Sequence, residues 1–168
     1  MNEEIINKVA NSGIIQLDLE ELFPTNDIVA FDIAQALYEG LILREKDFRE
    51  FVKQNDWSIY ANKYVRLICS ADAIVPTWAY MLLVTAIQPF AKKVIYGTND
   101  MMNTVVWMDI IDNFDLNEYN DARVVVKGCS TIPLPETAFS YLTSKLTPVV
   151  KSLMFGEPCS TVPLYKKK

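Results

Sequence analysis

The stretch Lys63-Tyr64-Val65-Arg66-Leu67-Ile68-Cys69-Ser70, continued by Pro76, Pro89 and the run Lys93-Val94-Ile95-Tyr96-Gly97, reads as strand, loop, helix, strand. Tyr64 to Ile68 is rich in β-formers. Pro76 suits the first helical turn, where its missing N–H costs nothing, and Pro89 ends the helix. A second copy follows. With one residue deleted, Lys63 to Ser70 aligns with Arg123 to Ser130, and Pro76 to Gly97 aligns with Pro135 to Gly156. Cys69-Ser70 then falls on Cys129-Ser130, Ala79-Tyr80 on Ala138-Phe139, Leu83 on Leu142, Pro89 on Pro148, Lys92 on Lys151 and Tyr96-Gly97 on Phe155-Gly156.

Two βαβ units result, at Lys63 to Gly97 and Arg123 to Gly156, and parallel neighbours need a crossover long enough to hold a helix. The expectation is therefore an α/β fold with a largely parallel sheet built from two pseudo-equivalent βαβ units, preceded by an N-terminal β-strand and helix extension. The 168 residues suit a single domain, with residues 1–60 as the extension, 63–97 and 123–156 as the internal repeat and 157–168 as a cysteine-containing C-terminal segment.

Outside the repeat, Ile14-Ile15-Gln16-Leu17 and Ile28-Val29-Ala30-Phe31 are strand candidates, with Pro24 and Asn26-Asp27 making the turn between them. Arg44 to Asp56 alternates charges with Phe48, Phe51 and Val52 at helical spacing, the pattern of an amphipathic surface helix with internal ion pairs or of a partner surface. Between the units, Asn99 or Asp100 caps a helix whose buried face is expected to hold Val105, Met108, Ile110, Ile111 and Phe114. The helix from Pro76 to Gln88 is apolar nearly all round, which predicts deeper burial than for its counterpart, where Thr143, Ser144 and Lys145 supply a polar face.

Composition excludes several classes. A net charge of -5 disfavours nucleic-acid binding, which draws on clustered Lys and Arg; Lys166-Lys167-Lys168 is a short terminal run and reads as a solvated end. The longest apolar segment, Trp78 to Ile87, is about half the length that spans a bilayer, so no membrane association is expected. The acidic start Met1-Asn2-Glu3-Glu4 lacks the basic character of a secretory signal, which points to a reducing cytoplasm and free thiols.

Three cysteines and no histidine then define the candidate site. Cys69 and Cys129 end equivalent strands and Cys159 follows Gly156, so all three are expected at the carboxyl edge of the sheet, where α/β folds bind ligands. Grouped thiolates without histidine suit zinc or an iron–sulfur cluster. Asp72, in the Cys69 loop, leads as fourth ligand, ahead of Glu157; water, an exogenous thiol or the second subunit of a homodimer are the other sources. A thiol-dependent enzyme is the first alternative, disfavoured because no histidine base accompanies the cysteines. A metal-free interaction scaffold with structural cysteines is the second.

The runs Gly40 to Arg49, Cys69 to Tyr80, Lys127-Gly128-Cys129 and Gly156 to Tyr165 resemble the small bacterial family catalogued as domain of unknown function 2480, over nearly the whole chain. The resemblance brings no established activity. Through that family's association with iron–sulfur cluster assembly genes it implies a role in cluster assembly or transfer, with iron–sulfur assembly proteins as partners. Three cysteines and an aspartate also resemble the ligand set of U-type iron–sulfur scaffold proteins in chemistry, although Cys69-Ser70-Ala71-Asp72 departs from their Cys-x-Asp spacing.

Overall fold

The computed structural model describes residues 13–23, 27–127, 132, 134–157 and 160–168. In chain order the described elements are β1 (Ile14–Leu17), β2 (Ile28–Asp32), α1 (Glu45–Gln54), β3 (Tyr64–Ile68), α2 (Thr77–Ile87), β4 (Lys93–Tyr96), α3 (Asn99–Asp112), β5 (Arg123–Val126), α4 (Glu136–Leu146), β6 (Ser152–Glu157) and β7 (Ser160–Lys166). The fold is α/β and largely parallel, as the repeat predicts. Its strands, however, divide between two sheets, β1-β5-β6-β7 and β2-β3-β4.

The chain correspondingly forms two compact units, Pro24–Met102 and Met1–Phe23 with Asn103–Lys168. The first is inserted into the second between β1 and the greater part of α3. After β4 the chain does not add a strand beside it; β5 pairs instead with β1, so β1 and β2 each lead a sheet of their own. Residues 24–26, which carry the turn expected between β1 and β2, lie outside the described residues.

In the inserted unit all three strands are parallel, with Ile28 opposite Tyr64 and Tyr64 opposite Lys93. One core holds Phe31, Val65, Leu67 and Val94 from the sheet together with Phe48 and Val52 from α1 and Ala79, Leu83 and Ile87 from α2. Both helices therefore cover one face. The α1 helix is amphipathic as its spacing predicts: Phe48 and Val52 are buried, and the exposed face is laced by Arg44–Asp47 and by Arg49–Glu45 at 2.9 Å. Such exposed pairs are each worth only a few tenths of a kcal/mol, about 0.3–0.5.

The second unit repeats the plan. Trp107 and Ile111 of α3 and Ala138, Leu142 and Leu146 of α4 pack on Leu17, Val124, Val126 and Leu153. The antiparallel β7 then closes the sheet beside β6. Periodicity missed β7 because Pro163 interrupts it, but an edge strand tolerates proline.

The repeat is more regular than the sequence alignment implies. Tyr64 pairs with Lys93 and Arg123 with Ser152, so equivalent residues stand 59 apart in the strands as well as in the helices. The entrances repeat too: Asn62 and Asp121 both have positive φ (59° and 55°), and their amides donate to Phe90 O and Val149 O respectively. No deletion is needed. Cys69 therefore corresponds to Gly128 and not to Cys129, both of which lie outside the described residues. Val124, Val125 and Val126 are all buried, and a strand buried on both faces has no alternation by which to detect a one-residue slip.

Two expectations about helix faces fail for a related reason. The helices α2 and α4 bury the same stripe, Ala79-Leu83-Ile87 and Ala138-Leu142-Leu146, so α2 is no deeper than its counterpart and leaves Met81 64% exposed. Of the face expected for α3, Ile111 is buried and Ile110 and Phe114 pack partly buried on the same core, but Met108 is exposed and the deepest residues are Met102, Val106 and Trp107. Where apolar residues surround a helix, their spacing selects no face. Among the described residues no helix is long and apolar enough to cross a membrane.

Candidate ligand cleft at the carboxyl edge of the inserted unit

Parallel strands deliver their following loops to one edge. In the inserted unit this edge brings together Asp32 at the end of β2, Cys69 and Ser70 after β3, and Tyr96 at the end of β4 with Gly97 and Thr98 after it. Cys69 lies on a cavity of about 610 Å³ lined by Val75, Thr77, Tyr80, Val84 and Tyr96 among others. It also lies on a second cavity of about 480 Å³ with Arg66, Tyr96, Thr98 and Asn99. Cys69 and Tyr96 line both, and each cavity is of ordinary size for a small-molecule site.

Cys69 is half-buried, and its thiol donates to Ala71 O at 3.4 Å. The Tyr80 and Tyr96 rings pack against each other at a tilt of 36°, with centroids 4.2 Å apart. Burial pushes the Tyr80 phenol up to about 12, helped by the neighbouring Tyr96 and Cys69 groups, so Tyr80 presents a neutral hydroxyl at physiological pH. Arg66 Nη1 donates to Gly97 O at 3.3 Å, and Thr98 Oγ1 accepts from Met101 N at 3.2 Å, capping α3 in place of the expected Asn99 or Asp100.

Asp32 holds the rim of the cleft. One carboxylate oxygen accepts from Ala34 N at 2.9 Å and from Ser70 N at 3.0 Å, tying the Cys69 loop to the neighbouring strand. Burial alone would raise its pKa, but hydrogen bonds from Ser70 and Ala34 outweigh it and hold the carboxyl below its ordinary value. Asp18 occupies the same place after β1, where it accepts from Glu20 N at 3.0 Å and from Lys127 Nζ at 2.8 Å. The Lys127 hydrogen bond, against an opposing burial effect, lowers its pKa as well. The matching signal is Leu17-Asp18-Leu19 against Phe31-Asp32-Ile33, an aspartate between two buried apolar residues, which lies outside the 63–156 repeat and so escapes an alignment of that repeat.

Both depressed carboxyls give stability that is full above about pH 4, where unfolded-chain carboxyls titrate, and that is lost as pH falls through the lower folded-state values. The urea midpoint followed from pH 7 to pH 2.5 is expected to fall in the wild type. The fall should be shallower in the double variant Asp18→Asn, Asp32→Asn; identical slopes would remove these carboxyls from the account. At pH 7, Asp32→Ala strips the Ser70 and Ala34 amides of their acceptor at a cost of about 1 kcal/mol.

Of the residues singled out by sequence, Asp72 is exposed in the Cys69 loop, while Cys129 and Cys159 lie outside the described residues. Among the described residues no three cysteine, aspartate or glutamate side chains gather as a metal donor set. The family model described as protein of unknown function (DUF2480) matches residues 3–167. No curated protein and no solved structure matches the chain.

Proposed function

The chain belongs to the DUF2480 family, a membership that names no reaction, and from the cleft itself we propose that the protein is a binding or assembly protein rather than an enzyme. The observation that carries this reading is Cys69, a half-buried thiol at the carboxyl end of β3 lining two neighbouring cavities. The nearby Asp32 carboxylate accepts from two backbone amides, and among the described residues no histidine or lysine base lines the cleft beside the thiol. The proposed cargo is a soft metal ion, iron–sulfur cluster or zinc, with Cys69, Cys129 and Cys159 as the candidate thiolate donors and Asp72 as a weaker one; cluster assembly or transfer in the cytoplasm, alongside iron–sulfur assembly proteins, is the corresponding role.

Anaerobic purification of the full chain with iron, zinc and acid-labile sulfide analysis tests it. Iron with sulfide supports a cluster, and zinc without sulfide a mononuclear site. Each of Cys69→Ser, Cys129→Ser and Cys159→Ser should cut occupancy at least about tenfold, and Asp72→Ala less. Sub-stoichiometric metal in the wild type sinks the cargo. In that event one cysteine alkylating far faster than the others would indicate a thiol enzyme. Uniformly slow alkylation would leave an interaction scaffold, a reading favoured by the apolar residues exposed near the cleft: Ile74 at 94% and Tyr96 at 57%.

A further inference from the structure

The other unit carries a second cavity, chemically unlike the first. Register places Ile14, Arg123, Ser152 and Lys166 side by side in one row across β1, β5, β6 and β7. Directly opposed residues in such a row share a sheet face, and strands lie roughly 4.8 Å apart. Arg123 and Lys166 therefore flank Ser152 from the two adjacent strands. Two residues further along β6 Met154 opposes Pro163 on the same face. That face is the one turned away from the core, because Val124, Val126 and Leu153 are the residues that meet α3 and α4. The result is a cavity of about 490 Å³ with an apolar floor of Ile14, Met154 and Pro163 and a rim of Arg123, Lys151 and Lys166.

The rim carries charge that no neighbouring carboxylate compensates. The net charge is -5, and Lys92, Lys127, Lys145 and Lys167 are each paired with an aspartate. Arg123, Lys151 and Lys166 have no acidic partner among the described residues. Three like charges lining one apolar cavity set up a positive potential there that a bound anion relieves. A free metal or a fully polar anion would leave the floor uncovered, and a neutral lipid would leave the charges uncompensated. We propose that this pocket binds an amphipathic small molecule with one anionic head, carboxylate or phosphate, held by Arg123, Lys151 and Lys166, and an apolar tail laid on Ile14, Met154 and Pro163. Arg123 supplies the planar fork that grips two oxygens at once, and the lysines supply point charges.

Isothermal titration of the full chain with decanoate, decyl phosphate, decanol and decyltrimethylammonium, all below their micelle concentrations, tests the proposal. Saturable one-site binding of at least one of the two anions is expected, with decanol weaker by about tenfold or more and the cation not bound. The tighter of the two anions identifies the head group. Raising salt from 50 to 500 mM should weaken anion binding but leave decanol unchanged. All three cationic side chains are exposed, so the triple variant Arg123→Gln, Lys151→Gln, Lys166→Gln should fold normally and lose at least about tenfold in anion affinity. Met154→Glu, which sets a carboxylate on the floor, should abolish it. Cys69→Ser should leave it unchanged, separating this pocket from the cleft of the inserted unit. Decanol binding as tightly as the anions, unaltered affinity in the triple variant, or no saturable binding of either anion would each overturn the proposal.

Discussion

Trp107→Ala is expected to lower the unfolding free energy by about 3–5 kcal/mol, the range for removing a large aromatic side chain from a packed core. Trp107 is fully buried on α3, its ring centroid lies 5.1 Å from that of Phe23, and it shares a core with Leu17, Tyr119, Val124 and Leu142. Few of these neighbours can collapse into the space it leaves, since Leu17 and Val124 belong to paired strands and Leu142 to a helix already seated on the sheet. Against a typical domain stability of about 5–15 kcal/mol the loss is a large fraction. Urea unfolding followed by circular dichroism provides the measurement: the midpoint should drop sharply with the slope preserved. A change under about 1 kcal/mol would mean that the ring is not at the centre of this core.

Leu83→Ala should cost about 2–5 kcal/mol, whereas Met81→Ala, two residues earlier on the same helix, should stay within about 0.5 kcal/mol. The contrast follows from exposure: Leu83 is wholly buried against the sheet of the inserted unit, and Met81 is 64% exposed. Composition alone would rank the two alike, since α2 runs Thr-Trp-Ala-Tyr-Met-Leu-Leu-Val-Thr-Ala-Ile with hardly a polar residue. Comparable losses at both positions would restore the reading of α2 as buried on every side.

These two helices show what can and cannot be read from the chain. Breakers carry position well: Pro76 and Pro135 stand immediately before α2 and α4, and Gly156 marks the end of the repeat with a φ of 120°. Proline and glycine act through local backbone sterics, which need no knowledge of the rest of the fold. Facing is different. For α1, whose charges occupy one side, the buried residues Phe48 and Val52 follow from spacing; for α2 and α3, apolar all round, only the packed sheet decides. Strand partnership is harder still, because β1 pairs with a strand more than a hundred residues away and nothing in Ile14-Ile15-Gln16-Leu17 names Arg123 to Val126 as its neighbour.

The candidate site divides along the same line. Cys69 at the carboxyl end of β3 was legible from one strand and one loop. Asp32 was not, since its role arises from a hydrogen bond to Ser70 thirty-eight residues on. The row Ile14, Arg123, Ser152, Lys166 depends on three strand registers at once and is invisible to any local pattern.

The inserted arrangement also imposes a timetable on synthesis. The unit Pro24–Met102 is continuous and holds all three of its strands, so it can fold as soon as it leaves the ribosome. By contrast, β1 emerges first and has no partner until β5 has been made, about 106 residues after Leu17. During that interval it is an apolar strand with both edges open, a hazard for mispairing. The completed insert limits that hazard by replacing a long floppy loop with a compact body, which lowers the entropy cost of bringing Ile14 to Arg123. Slow translation between Met102 and Arg123 would therefore leave the ordering of the insert untouched while prolonging the exposure of β1.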